Sequence, residues 1–223
     1  MPYKRPENEL GIIQSSSLFG GIAADGLKPV LGCLGAEVKS LRKDEILLLA
    51  GDRPRHVGLV LTGLIHIVRE DPDGNRLLVA AAAPGELFAE ALCCAGVPES
   101  PVTVAAGAAS TVMLLNFRRI LDTCPNSCAH HRQLVENMLR LIAGKNLLLQ
   151  ERMEIVSLKS VRAKVTAYLE SFAPKRGREI AVPFNREEMA DFLCVERSAL
   201  SHELARMKKD GLIEYRKNIF VLK

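Results

Sequence analysis

Residues 183–223 leave few folds open. They read PFNREEMADFLCVERSALSHELARMKKDGLIEYRKNIFVLK. Two helix-periodic segments are joined by a very short link and followed at once by two alternating strands. Asn185 is placed to cap the first helix, with Glu188 three residues on to close a capping box. Met189, Ala190 and Leu193 supply its apolar stripe, and Val195 the turn. A second helix is predicted over Arg197–Lys209, with Ala199, Leu200, Leu204 and Met207 at spacings of one, three and four. Gly211 stops it. Residues 212–215 and 219–222 alternate around Arg216, Lys217 and Asn218, a basic wing. The pattern is a helix-turn-helix with a wing, a device that sets one helix into a DNA groove. Arg197, Ser198, Ser201 and His202 open the second helix, where base edges are read. Arg186, Lys217 and Asn218 fall at the first helix start and in the wing, where phosphates pass.

Charge agrees with that reading. Residues 157–223 hold 14 Lys and Arg against 9 Asp and Glu, while the remainder holds 16 against 17. A basic end on a nearly neutral body is the footprint of a nucleic-acid module. Trp is absent and aromatics make up 4%, which argues against a stacking platform for single strands.

At 223 residues the expectation is one or two domains. No apolar run approaches bilayer length, and the N-terminus MPYKRPENELG lacks the apolar region of a signal peptide. A cytoplasmic protein without membrane partners is expected. Its six cysteines, at 33, 93, 94, 124, 128 and 194, are then thiols, metal ligands or redox sensors, not structural disulfides.

Residues 15–35 read as an amphipathic helix carrying Leu18, Ile22, Leu27, Val30, Leu31 and Leu34. From Glu37 to Leu115 short apolar runs alternate with turn signals: 46–49, 57–61, 64–68, 77–79, 102–104 and 112–115. Many short, evenly spaced strands indicate an antiparallel sandwich or barrel. From Asn126 the texture is helical again. Leu134, Leu141, Leu148 and Ile155 lie seven apart, as do Val135, Ile142, Leu149 and Val156. One column can pack on the β domain and the other on a second copy. The dimer interface is expected on Leu134, Leu141, Leu148 and Ile155. A further helix runs from Val161 to Phe172, and residues 173–177 form a polar breaker.

The order of strand domain, long helix and winged helix-turn-helix resembles the Crp/Fnr family of bacterial transcription regulators. The resemblance runs over nearly the whole chain. Gly51-Asp52 and Thr62-Gly63-Leu64 are similar to the family's glycine turns, and Asp71-Pro72-Asp73-Gly74 to its hairpin tip. Pro84-Gly85-Glu86-Leu87-Phe88-Ala89-Glu90 resembles the start of its nucleotide-binding cassette. Arg186 to Ala190 and Val195 to Ser201 resemble its helix-turn-helix. The resemblance implies an α+β fold: a cupin-like antiparallel β-roll effector domain over 1–125, a dimerisation helix over 126–158, and a DNA-binding winged helix-turn-helix over 159–223. It also implies effector-facing positions at Glu90, Ser100, Val102, Thr103, Leu147 and Leu148.

The departures bear on the effector. Cyclic-nucleotide-binding members carry an Arg-Ser pair whose guanidinium holds the cyclic phosphate. Here Ser100-Pro101 stands in its place beside Glu99, and apolar Leu147 and Leu148 fall where adenine is reached. The residues argue against cyclic AMP. No cysteine precedes Cys33, so the N-terminal iron–sulfur cluster of the oxygen-sensing branch is not in its usual place. His202 stands where the family often has Arg, which removes one bidentate guanine contact.

The sequence predicts a regulator, not an enzyme: no P-loop or nucleophile elbow is present. Its expected partners are inverted-repeat double-stranded DNA, a second copy of itself, RNA polymerase and a small effector. The family pattern is that of an activator, and the residues leave activation and repression alike open. The alternative input is redox or metal chemistry at Cys124, Cys128 and His131, where soft ligands share a helical face.

Overall fold

In a computed structural model, residues 7–70, 76–121, 130–172, 179–182 and 184–223 are described. The chain divides into two compact units, residues 1–143 and 144–223.

The first unit opens with α1 (Glu7–Ser15), a 3-10 turn (Ser17–Phe19) and α2 (Ala24–Cys33). The single helix expected over 15–35 is thus broken. Gly21 takes φ +80, which ends helical continuity at Gly20-Gly21. The six apolar residues singled out there are nevertheless all buried, none more than 3% exposed.

Among the described residues eight strands follow: β1 (Glu37–Leu41), β2 (Ile46–Leu48), β3 (His56–Thr62), β4 (Ile65–Glu70), β5 (Arg76–Ala82), β6 (Leu87–Phe88), β7 (Thr103–Ala106) and β8 (Ser110–Asn116). Helix α3 (Glu90–Cys94) lies between β6 and β7, and α4 (Phe117–Leu121) follows β8. The strands form two antiparallel four-stranded sheets, ordered β1-β8-β3-β6 and β2-β7-β4-β5. Val60, Val112, Phe88, Ile65 and Val104 fill the core in which the sheets meet. The alternate residues Val57, Leu59, Leu61, Met113 and Leu115 pack with α1, α2 and the start of α5 (His130–Ser157). Strand β3 is therefore buried on both faces, which is why it reads as an unbroken apolar run. Two glycines make this packing possible. A Cβ at Gly58 would overlap the Phe88 ring, and Gly63, at φ +85, turns β3 into β4 against the backbone of Ala109 and Ser110.

Helix α5 is a single 28-residue element that crosses the division between the units. At its start Asn137 is buried. Its amide nitrogen donates to the carbonyls of Leu18 (2.9 Å) and Gly20 (2.8 Å), and its oxygen accepts from Gln133.

The second unit contains α6 (Val161–Phe172), β9 (Glu179–Ala181), α7 (Arg186–Phe192), α8 (Arg197–Lys209), β10 (Ile213–Arg216) and β11 (Ile219–Leu222). The hairpin expected from alternation is present, and β9 adds a third strand to it, pairing Ile180 with Phe220. Three residues are too few to show a period, so only the pairing with β11 defines β9. Leu200, Leu204 and Met207 of α8 pack with Met189, Leu193, Val165 and Phe220 in one core. Tyr168 lies within it, its ring 5.0 Å from both Phe172 and Phe192.

Candidate functional site

The second unit presents its polar residues around the start of α8. The α7 cap forms as the sequence implied: the Asn185 side chain accepts from Glu187 N and Glu188 N, and the Glu188 side chain accepts from Asn185 N. This fixes the entry of the helix-turn-helix. The turn itself passes through Cys194 at φ +51. Two lysine contacts close the C-terminus of α7, with Lys164 Nζ 3.1 Å from Leu193 O and 3.4 Å from Cys194 O. A cation there satisfies terminal carbonyls and complements the helix dipole. Arg162 on α6 ties down α8 through Glu203 and, at 2.8 Å, Asp210. Its pKa is raised by the hydrogen bonds to Glu203 and then Asp210.

With its apolar stripe buried, α8 leaves Arg197, Ser198, Ser201 and His202 exposed together in its first half. A cleft of about 480 Å³ joins this end to the wing, lined by Asn185, Arg186, Glu187, Arg197, Lys217 and Asn218. Four of the seven residues assigned to DNA from sequence thus converge on one cleft. Lys217 takes φ +53 at the wing tip, a left-handed turn that reverses the hairpin.

Arg186 plays a part the sequence did not reveal. Its Nη2 donates to Lys217 O at 2.7 Å, and its guanidinium lies 4.8 Å from the Phe220 ring centre and 5.1 Å from that of Tyr215. Burial lowers its pKa from the ordinary arginine value. These contacts tie the wing to the start of α7.

In the first unit none of the positions implied for the effector lines the cavity formed by Leu47, Phe88, Val104 and Leu114. Ser100 is buried, and its hydroxyl is closed onto its own turn, donating to Val102 O and accepting from Val102 N. Thr103 Oγ1 accepts from Ala50 N. Glu90 is buried at the start of α3, and Val102 is buried beside Thr103. Leu147 and Leu148 are exposed on the part of α5 that belongs to the second unit. That cavity, of about 310 Å³, has a floor of Phe88, Val104, Leu114, Leu47 and Leu48. Asp52, Arg53, Arg55 and His56, all exposed, stand at its mouth. Sequence reasoning missed these residues. The one available signal was two arginines and a histidine within four residues at the entry of β3.

Of the residues expected as metal or redox ligands, Cys124 and Cys128 lie outside the described residues. His131 is buried, with Nε2 3.1 Å from Arg119 O and Nδ1 without a partner among the described residues. No group of three metal-ligating side chains occurs among the described residues. Cys93 is buried and its Sγ donates to His56 O at 3.5 Å. Its pKa is pushed up to about 12, first by burial and then by Cys94 and Glu90.

The expected interface column on α5 does not lie on one free face. Leu134 is fully buried in the first unit's core, Leu141 packs against that core, and Ile155 is buried in the second unit. Leu148 alone is largely exposed, at 66%. A straight helix drifts about 20° per heptad against a 3.5 period, so residues seven apart need not share surroundings over four turns or more.

Residues 38–126 match the model of the cyclic nucleotide-binding domain, and residues 163–223 that of the Crp-like helix-turn-helix domain. The chain is 24% identical over 186 residues to the transcriptional activator protein FnrL of Cereibacter sphaeroides, covering 78% of this chain and 71% of the relative. Among solved structures it is similar to the catabolite activator protein of Thermus thermophilus, with TM-score 0.54 and 19% identity over 93% of this chain and 94% of the other. It is also similar to FixK2 of Bradyrhizobium japonicum, with TM-score 0.54 and 20% identity over 84% and 92%.

Proposed function

The chain belongs to the Crp/Fnr family of transcription regulators, and from that premise we propose that it binds an inverted-repeat operator as a homodimer under control of a small effector other than cyclic AMP. The observation that carries the DNA reading is the cleft in which the start of α7, the start of α8 and the wing meet. Arg197, Ser198, Ser201 and His202 read base edges. Lys217 and Asn218 contact phosphate, and Arg186 acts chiefly by holding the wing in place. The protein works in the cytoplasm with RNA polymerase, and no helix among the described residues is long and apolar enough to cross a membrane. In this reading residues 1–125 form the effector domain, 126–158 the dimer helix and 159–223 the DNA module.

The dimer seam is best placed on residues 135, 139, 142, 146, 149, 153 and 156. Their spacing alternates four and three without a break, as the core positions of a two-stranded coiled coil require. Leu139, Leu149 and Met153 are 65%, 58% and 68% exposed, and Val135, Ile142 and Val156 are half-buried. Asn146, also exposed, is the single polar member. An isolated Asn in such a seam fixes register and number of strands at some cost in stability.

Exclusion of cyclic AMP rests on the cassette. Pro101 has no N–H, Ser100 has its hydroxyl engaged, and neither supplies a guanidinium.

The two classes of DNA contact separate by mutation. Arg197→Ala is expected to relax base preference at one position and cost about 1–3 kcal/mol. Lys217→Ala is expected to weaken all sequences alike and flatten the salt dependence by about one unit of slope. Uniform loss of affinity with an intact base profile in Arg197→Ala would sink this docking of α8.

A further inference from the structure

The first-unit cavity carries charge where the family cassette has lost it. Residues 49–55 link β2 to β3, and 52–55 lie outside helix and strand. Pro54 fixes its own φ and biases Arg53 toward an extended backbone. In extended chain, residues two apart point the same way, so Arg53 and Arg55 share one side, and both line the cavity mouth. Neither guanidinium has an ion pair or hydrogen bond among the described residues. The one carboxylate beside them, Asp52, already accepts from Leu49 N at 3.2 Å. The loop is held in place from the cassette side: Gly51 N donates to Ser100 O and Ser100 N to Asp52 O, each at 2.8 Å. Below the arginines the wall turns apolar at once, with buried Phe88 and Val104 and half-buried Leu114.

A charged mouth over an apolar floor selects an amphiphile. The polar end is an anion, and a planar carboxylate is one that a guanidinium fork grips in two parallel hydrogen bonds. The remainder must be apolar, because the floor offers side chains of Phe, Val and Leu. At about 310 Å³ the space lies at the small end of ligand pockets.

We infer that this cavity binds a small carboxylic acid with an aromatic or branched apolar body, its carboxylate held by Arg53 and Arg55 and its body against Phe88 and Leu114. The inference rests on the regulator reading above and specifies the chemistry of its effector. It moves the anion-holding role from the cassette, where Ser100-Pro101 stands, to the β2–β3 link.

The test uses the full chain with benzoate, phenylacetate and 4-methylpentanoate, each beside its neutral amide, in titration calorimetry at millimolar concentration. At least one acid is expected to bind saturably, with its amide weaker by on the order of 10- to 100-fold, the loss for a charge-assisted contact. Arg53→Gln with Arg55→Gln is expected to weaken that acid by a similar factor and leave the amide unchanged. The acid–amide comparison needs no variant, so a misfolded double mutant does not spoil it. An amide as tight as its acid, binding by none of the three acids, or full acid affinity in a folded double variant overturns the proposal. Fluorescence anisotropy with an inverted-repeat duplex reads the other question separately. If the chain binds no duplex, the regulator reading fails whatever calorimetry shows. If it binds the duplex and the acid criteria fail, only the carboxylate assignment falls.

Discussion

Tyr168 offers the sharpest test of how the DNA module is held together. Its side chain is 2% exposed, and its hydroxyl has no hydrogen-bond partner among the described residues. The ring contributes a T-shaped contact with Phe172 and a tilted one with Phe192, worth about 0.5–1.5 kcal/mol each beyond area burial. Phenylalanine keeps both contacts and removes the stranded hydroxyl. An unsatisfied buried polar group costs about 1–3 kcal/mol, so Tyr168→Phe is expected to stabilise by about 1 kcal/mol at neutral pH. With a urea slope of about 1–3 kcal/mol per molar, the unfolding midpoint rises by roughly 0.3–1 M. Far-UV circular dichroism reads it, since the chain has no Trp for fluorescence.

A second signature comes from titration. Burial pushes the Tyr168 pKa up to about 12 from an ordinary 10.0. Below pH 10 both states hold the proton and pH has no effect through this group. Between about pH 10 and 12 the unfolded chain ionises while the folded one does not, so stability falls as pH rises. At about 1.4 kcal/mol per unit the loss approaches 2–3 kcal/mol, and Tyr168→Phe escapes it. The variant's advantage must therefore widen above pH 10. Destabilisation by Tyr168→Phe at neutral pH, or an advantage that stays flat with pH, would refute the reasoning.

Three further outcomes follow from particular contacts. Asn137→Leu strands the carbonyls of Leu18 and Gly20 and should cost about 2–4 kcal/mol in chemical denaturation, against under about 1 kcal/mol for Gln133→Ala. Leu149→Glu with Met153→Glu is expected to give monomers in sedimentation, whereas Leu148→Glu, about 100° round the helix from Leu149, leaves the dimer intact; the opposite pattern returns the seam to the other column. Cys194→Gly relieves a left-handed residue worth about 1–2 kcal/mol but adds about 0.5–1 kcal/mol of glycine entropy, so thermal melts should show a small gain, while Cys194→Val should show a clear loss.

What the sequence determined by itself was local. The Asn185–Glu188 box, the limits of α6 and α8, the stop at Gly211 and the β10–β11 hairpin depend on residues within a few positions of one another. Caps, helical periods and strand alternation act at that range, so they are legible in the chain. The strand domain was legible for the same reason, as short apolar runs between turns. Tertiary structure decided what distant segments do together. Strand β9 exists because β11 offers it an edge. Arg186 gains a bracing contact to the wing because the carbonyl of Lys217, 31 residues on, folds back to meet it. Of two equally regular columns on α5, the intramolecular cores bury Leu134 and Ile155 of the first, while Leu149 of the second stays exposed beside Leu139 and Met153 and only Ile142 of that column packs against the first unit's core. The cavity at Arg53 and Arg55 takes its floor from β2, β6, β7 and β8, with Leu47 and Leu114 67 residues apart. A seven-residue period records that a helix has an apolar face, but which neighbour covers that face is settled only when the rest of the chain competes for it.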